Sequence, residues 1–262
     1  MTELPDVFLH SLADRLDGVD TLAVSLGGSF ARGEGSRHSD IDLHCYLRLL
    51  SQPGRLHLDL HYEDDYLVSV WTTTLEDQAE SLADPQRAIW TIPGLRQERI
   101  LIDKDGRLGR LQAAARNATW ESLQPAANRF ASRSLAQDSE EVLKILAGLE
   151  REDESRTLYA LWSLTRSLSE SLMVQHGTLV TSENVYLDLA QQAAGRGSAW
   201  SRWFRLAVGL DAPQADEPPY RAYAAAGLEL YRESARLLQP FLGEQDRAVI
   251  GRTLEMIKEA GY

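Results

Sequence analysis

Two periodicities divide the chain. In the first half, short stretches alternate apolar and polar residues with the period of two expected of half-buried strands. "TLAVSL" (21–26) is an apolar run that reads as a buried strand. "DIDLHCYLRLL" (40–50) turns Ile41, Leu43, Cys45 and Leu47 one way and Asp40, Asp42, His44 and Tyr46 the other. "RLHLDLHY" (55–62) sets Leu56, Leu58 and Leu60 against His57, Asp59 and His61. It is followed by the acidic turn "EDD" and the strand "YLVSVWTTT" (66–74), which together make a hairpin signature. "RQERILIDKDGR" reads as one more strand, ending in a turn at Asp105-Gly106. Helical spacing places Val7, Leu9, Leu12 and Leu16 on one stripe that stops at Gly18. Helices are also predicted for "TLEDQAESLADP", stopped by Pro85, and for "LGRLQAAARNATW".

From about Trp120 the period changes to that of amphipathic helices. Six segments carry such stripes: "SLAQDSEEVLKILAGLE", "SRTLYALWSLTRSLSESLMVQHG", "TSENVYLDLAQQAAG", "AWSRWFRLAVGL", "PPYRAYAAAGLELYRESARLLQPFL" and "EQDRAVIGRTLEMIKEAG". They predict a bundle of five or six helices, with "GLDAPQADEPP" (209–219) as a loop. Trp162, Trp200 and Trp203 stand at spacings that suit packing, and the acids Glu150, Glu152, Asp153 and Glu154 read as a solvated turn between helices. The expected architecture is α+β: a small mixed β-sheet domain over residues 1–120 with helices on one face, then an α-helical bundle domain over 121–262.

Composition narrows the function classes. With 44% hydrophobic and 25% charged residues, the 262-residue chain has an ordinary globular make-up. It holds no apolar run long enough for a membrane span, and its first residues carry acids where a secretory leader carries bases, so the expectation is a cytoplasmic protein without membrane contact. The single cysteine, Cys45, excludes an internal disulfide or a cysteine metal cluster. The net charge of −12 is shared by both halves, with 12 basic against 19 acidic residues before position 121 and 15 against 20 after it. Without a basic stretch to displace counterions from phosphates, nucleic acid is not expected as a partner; the field favours cationic small molecules.

The chemistry concentrates in "GGSFARGEGSRHSDIDLHCY" (27–46). A nucleophile elbow would place Ser29 on a sharp strand-to-helix turn, yet Ala31 stands where its second glycine belongs. An ATP-type P-loop needs a Gly-Lys-Ser/Thr ending, and no lysine follows these glycines. Nucleotidyl transfer fits both halves of the stretch. A glycine pair lets backbone approach an anion, and a helix starting near Ser29 would offer free N–H groups and its positive dipole end to phosphate oxygens. Asp40 and Asp42, two apart on one strand face, can grip one or two Mg²⁺ ions, and two ions about 4 Å apart would stabilise the attacking and leaving oxygens of an in-line displacement.

With "GSxARG" and "SDIDL" both present, the stretch resembles the Gly-Ser … Asp-x-Asp signature of the DNA polymerase β-like nucleotidyltransferase superfamily. The small-molecule branch, which includes the kanamycin and streptomycin nucleotidyltransferases, is the nearest likeness. The resemblance is specific over residues 20–75 and rests on architecture beyond them. It implies a Mg²⁺-dependent enzyme that moves NMP from an NTP, with ATP the expected donor, to a hydroxyl of a small molecule such as an aminoglycoside-like antibiotic. Gly28, Ser29, Arg32 and Ser39 would then hold the nucleotide, and Asp40 and Asp42 the metal. These families place a third carboxylate on a following strand, where this chain has Ser69. A three-residue "EDD" turn would pair Asp59 with Ser69 and make Asp59 the third ligand or base; a two-residue turn would set Asp59 opposite Val70 instead. The alternative function is a regulatory or antitoxin-like protein that modifies a partner protein or senses nucleotide.

Overall fold

The computed structural model describes residues 4–50, 57–213 and 218–262. Leu56 of the predicted hairpin and part of the predicted 209–219 loop lie outside them. Contacts divide the chain into two compact units, residues 1–119 and 120–262.

The first unit is built on a five-stranded mixed sheet. Its strands are β1 (Thr21–Leu26), β2 (Ile41–Leu47), β3 (His57–Glu63), β4 (Tyr66–Thr74) and β5 (Arg99–Asp103). They lie in the order β3-β4-β2-β1-β5, with β2 and β4 parallel and the other pairs antiparallel. Helix α1 (Asp6–Leu16) covers one face, where Leu9 and Leu12 pack on Leu26, Ile41, Leu43, Val68 and Val70. The opposite face carries α3 (Leu75–Ser81), α4 (Pro85–Gln97) and α5 (Arg107–Asn117), whose Leu75, Leu95 and Leu108 pack on Leu22 and Tyr46. Helices therefore cover both faces of the sheet, where one was expected. The short α2 (Gly28–Ala31) joins β1 to the loop before β2.

Two local readings change with the structure. Pro85 does not end a helix; it opens α4, with the Asp84 carboxylate accepting from the amide of Gln86 at 3.0 Å. Proline suits the first helical position, where its missing N–H has no intrahelical partner to lose. Between β3 and β4 the turn has two residues, Asp64 and Asp65, because Glu63 pairs with Tyr66. Two-residue turns match the twist of the paired strands, and Asp64 takes the φ of 50° that an aspartate tolerates better than most residues. Leu58 and Leu60 on this edge strand are exposed.

The second unit holds seven α-helices among the described residues, against the five or six expected: α6 (Gln124–Gln137), α7 (Ser139–Glu150), α8 (Glu154–His176), α9 (Tyr186–Ala194), α10 (Ala199–Ala207), α11 (Pro219–Leu238) and α12 (Glu244–Glu259). The additional helix is α6. The long α8 buries Ala160, Leu161, Leu164, Leu168 and Leu172. Trp200 is buried, stacked on Phe204, and donates its indole N–H to the Ser234 hydroxyl at 2.8 Å. Trp162 departs from the packing expectation: it is 61% exposed and lies beside Tyr159. The turn from α7 to α8 carries the acidic run, and Asp153 caps α8 by accepting from the Arg156 amide. No helix among the described residues is long and apolar enough to cross a membrane.

Candidate functional site

β1 and β2 converge on the stretch that the motif singled out. The amide of Gly27 donates to the carbonyl of Asp42 at 2.8 Å, which fixes the end of β1 against the start of β2. The chain then turns at Gly28, whose φ is +62°, and a Cβ at that position would overlap the Asp42 carboxylate. Glycine is required here on both counts: the left-handed backbone and the close approach to Asp42. The turn leads directly into α2, whose first amides lack intrahelical acceptors by helix geometry. Gly28 thus stands against the Asp42 carboxylate at the start of α2, with Ser29 next to it in the chain.

Asp42 faces away from the α1 side of the sheet, in register with Ser69 of β4. The Ser69 hydroxyl donates to Asp42 Oδ1 at 2.9 Å. Burial, followed by the charge of Asp40, pushes the Asp42 carboxyl above its usual range, while Ser69, His44 and Arg32 pull it partly back. Arg32 ends α2 and pairs with Glu34 at 2.7 Å, within electrostatic reach of Asp42. The Ser39 hydroxyl accepts from the Ser36 amide at 3.0 Å and shapes the turn that delivers Asp40 and Asp42.

Asp59 stands elsewhere. The two-residue turn pairs it with Val70 and pairs Leu60 with Ser69, so Asp59 points to the sheet face opposite Asp42. Its side chain is 82% exposed, with His61 at 3.8 Å as its ionic neighbour. The expectation that Asp59 completes the carboxylate set is corrected by that one-residue change of register. Among the described residues, no three His, Cys, Asp or Glu side chains gather into a metal cluster.

The residues present fit a hard cation held by two carboxylates. Asp40 and Asp42 offer oxygen donors two residues apart, and burial first, then the charge of Asp40, holds the Asp42 carboxyl above its usual range, a cost that a bound cation would relieve. Water and phosphate oxygens would have to supply the remaining ligands.

Further along β2, the same face carries a polar group that the sequence did not reveal. Glu98, which follows α4, is buried and accepts three side-chain hydrogen bonds. His44 Nδ1 donates to its Oε1 at 2.7 Å, and Ser25 Oγ and Tyr46 OH each donate to its Oε2 at 2.8 Å. Burial alone would raise the Glu98 carboxyl, but the His44 charge and the three donors outweigh it and hold the group below its usual range. Burial likewise opposes the His44 imidazolium, and the Glu98 charge and hydrogen bond overcome it to raise that group. Tyr46 is pushed well above its usual value by burial and by the Glu98 charge. The one signal in the sequence was the polar set Ser25, His44 and Tyr46 on strands otherwise buried.

No protein-family model matches the sequence, and no curated protein matches it. Among solved structures, the chain is similar to the nucleotidyltransferase-like protein from Exiguobacterium sibiricum 255-15, with a TM-score of 0.52 and 13% identity. The likeness covers 94% of this chain and 77% of that one. At this identity the likeness is one of fold. The chain therefore has a nucleotidyltransferase-like fold, a mixed sheet followed by a helical region.

Proposed function

We propose that the chain is a Mg²⁺-dependent nucleotidyltransferase that moves NMP, with ATP as the preferred donor, to a hydroxyl of a small molecule and releases pyrophosphate. The observation that supports this reading is the Gly28 turn pressed against the Asp42 carboxylate, since a turn whose amides would meet phosphate then stands next to an acid that would hold metal. Amides of the turn and the Ser29 hydroxyl would orient the β- and γ-phosphates, with Arg32 adding positive charge beside them. Asp40 and Asp42 would hold Mg²⁺, which when bound offsets the charge on the phosphate oxygens. Ser69 fixes the rotamer of Asp42 through its hydrogen bond. An aminated, hydroxyl-rich acceptor of the aminoglycoside kind suits the net charge of −12. Consumption of NTP and the single cysteine suit a cytoplasmic setting.

The carboxylate count favours a second reading as well. With Ser69 opposite Asp42 and Asp59 on the other face, Asp40 and Asp42 gather no third carboxylate into a cluster among the described residues, which suits a nucleotide sensor or a slow modifier of a partner protein. Incubation with α-labelled ATP, Mg²⁺ and a panel of aminoglycosides separates the two. Labelled acceptor with stoichiometric pyrophosphate supports transfer to a small molecule. Mg²⁺-dependent ATP binding without transfer supports the second reading, and absence of any nucleotide binding overturns both.

A further inference from the structure

Strand β3 forms one edge of the sheet, and every residue on it from His57 to Tyr62 is exposed. The two-residue turn makes Glu63 and Tyr66 the closing hydrogen-bonded pair of the hairpin, and bonding alternates along an antiparallel pair. His57, Asp59 and His61 therefore bond to β4, while Leu58, Leu60 and Tyr62 turn their amides and carbonyls toward the open edge. Among the described residues, no backbone group outside the sheet bonds to those three. Their side chains share the Asp42 face, because Leu60 is in register with Ser69, and Ser69 with Asp42. Lysine, proline or a bulge commonly guards such an edge, and β3 carries none of them. A free backbone edge beside exposed apolar side chains is a template for another strand.

The sequence of β3 is complementary to itself. Leu60 is its middle residue, so an antiparallel pairing about a two-fold axis at Leu60 engages the whole strand. Leu60 then meets the partner's Leu60, Leu58 the partner's Tyr62, Asp59 the partner's His61 and His57 the partner's Glu63. The outward residues fall in the hydrogen-bonded pairs, each exchanging two N–H···O bonds. The acids fall in the closer, non-hydrogen-bonded pairs, each opposite an imidazole whose N–H can donate to it. Moving the axis by one residue loses this match: at Asp59 it sets Asp59 against the partner's Asp59, and at His61 it sets Asp59 against the partner's Glu63. A foreign strand could make the same backbone bonds, but it would also have to bring donors to Asp59 and Glu63. A second copy of the chain brings them in register.

We propose that the chain forms a two-fold dimer through β3, which joins two five-stranded sheets into one continuous sheet. The axis stands perpendicular to the sheet, so both copies turn the Asp42 face the same way. The row Asp42, Ser69, Leu60 continues into the partner's Leu60, the partner's Ser69 and the partner's Asp42. With strands about 4.8 Å apart, the five intervals from β2 to its counterpart place the two Asp42 backbones about 24 Å apart along the sheet. Leu58, Leu60 and Tyr62, exposed in one copy, lie side by side with their counterparts in the dimer. One strand of 7 residues makes a small interface, so the expected Kd is on the order of 10 μM. The dimer depends on the hairpin and holds whatever the Asp42 site does.

Sedimentation velocity of the full chain from about 1 to 200 μM measures the association. Wild type is expected to pass from monomer to dimer across that range. Hydrogen exchange is expected to slow at the Leu58, Leu60 and Tyr62 amides as the dimer forms, and to change little at Asp59 and His61, whose amides already bond to β4. Leu60→Lys sets two ammonium groups together on the axis and is expected to stay monomeric throughout. His61→Asp opposes the partner's Asp59 and is expected to weaken the dimer about tenfold or more. The double variant Asp59→His/His61→Asp, which exchanges the two residues and keeps the composition, is expected to return to within about threefold of wild type. Should Leu60→Lys fail to fold, the single and double charge variants decide the matter between them. A wild type that is monomeric at every concentration overturns the inference and leaves the edge to a strand of another protein. A dimer that Leu60→Lys does not weaken lies on another surface and overturns it equally. A double variant no tighter than His61→Asp overturns the register about Leu60.

Discussion

Gly28→Ala tests the contact on which the candidate site is built. Two costs add. Alanine at φ +62° adopts a left-handed backbone, worth about 1–2 kcal/mol. Its Cβ also overlaps the Asp42 carboxylate, and moving that group away breaks the 2.9 Å hydrogen bond from Ser69, worth about 1.5–3 kcal/mol for a charged acceptor. The expected loss is about 2.5–5 kcal/mol. Gly33 supplies the control, because its φ is +72° and a Cβ there meets nothing within 4 Å, so Gly33→Ala carries the backbone cost of about 1–2 kcal/mol alone. In an Asp42→Ala background the two closest approaches disappear and the 3.2 Å approach to the Cβ of residue 42 stays, so the effect of Gly28→Ala falls toward the Gly33→Ala value. Native-state hydrogen exchange of the β1 and β2 amides measures these losses in the first unit separately from the helical one. A Gly28→Ala protein no less stable than Gly33→Ala refutes the close packing of turn and carboxylate.

Three further outcomes are expected. Asp42→Asn abolishes Mg²⁺-dependent nucleotide binding while raising the melting temperature of the metal-free protein at pH 7. The raised Asp42 carboxyl contributes stability below the unfolded carboxylate range and loses it as pH rises, so removing its charge helps at neutral pH; an unchanged or lower melting temperature contradicts this. Ser69→Asp places a third acid in register with Asp42 and raises Mg²⁺ affinity about tenfold or more by calorimetry, at some cost in metal-free stability; equal Mg²⁺ binding would show that the site does not gather the ion. In the helical unit, burial, followed by Glu141 and Glu170 against the opposing Ser167 hydrogen bond, raises the Asp138 carboxyl to about 7. Stability from that group is present in full below an unfolded value of about 3.9 and is lost as pH rises through 7, with a slope of about 1.4 kcal/mol per pH unit between them. Urea unfolding from pH 4 to 8 should therefore show a flatter profile for Asp138→Asn than for wild type, and parallel profiles would rule this out.

What the sequence disclosed follows from the range of the forces involved. "TLAVSL" and "YLVSVWTTT" coincide with β1 and β4 because apolar, β-branched and aromatic residues on a buried sheet carry their own local signal. Helix α4 was not read because Pro85, Pro93 and Gly94 each argue locally against a helix. It forms because Ala88, Ile89, Ile92 and Leu95 bury one stripe. Helix α6 was missed for a like reason, its alanines and polar residues giving a weak stripe behind Pro125. The closeness of Gly28 to Asp42 was legible because a dozen residues of chain enforce it. Asp59 hung on one residue of turn length, which "EDD" leaves undecided. Glu98 was illegible because its three partners lie 52, 54 and 73 residues away, and nothing near Glu98 marks it as their acceptor.

The three bonds that meet on Glu98 act mechanically as a locating pin. Packed apolar stripes tolerate sliding, since one methyl group replaces another at little cost, but a carboxylate set on two strands by three donors fits at one position only. A slip of α4 by a single residue would break all three bonds at once and leave Ser25, His44 and Tyr46 facing apolar surface. The helix is therefore either seated or released, without a graded displacement between, and Trp90 and Gly94, one turn upstream of the pin and more, inherit that fixed coordinate.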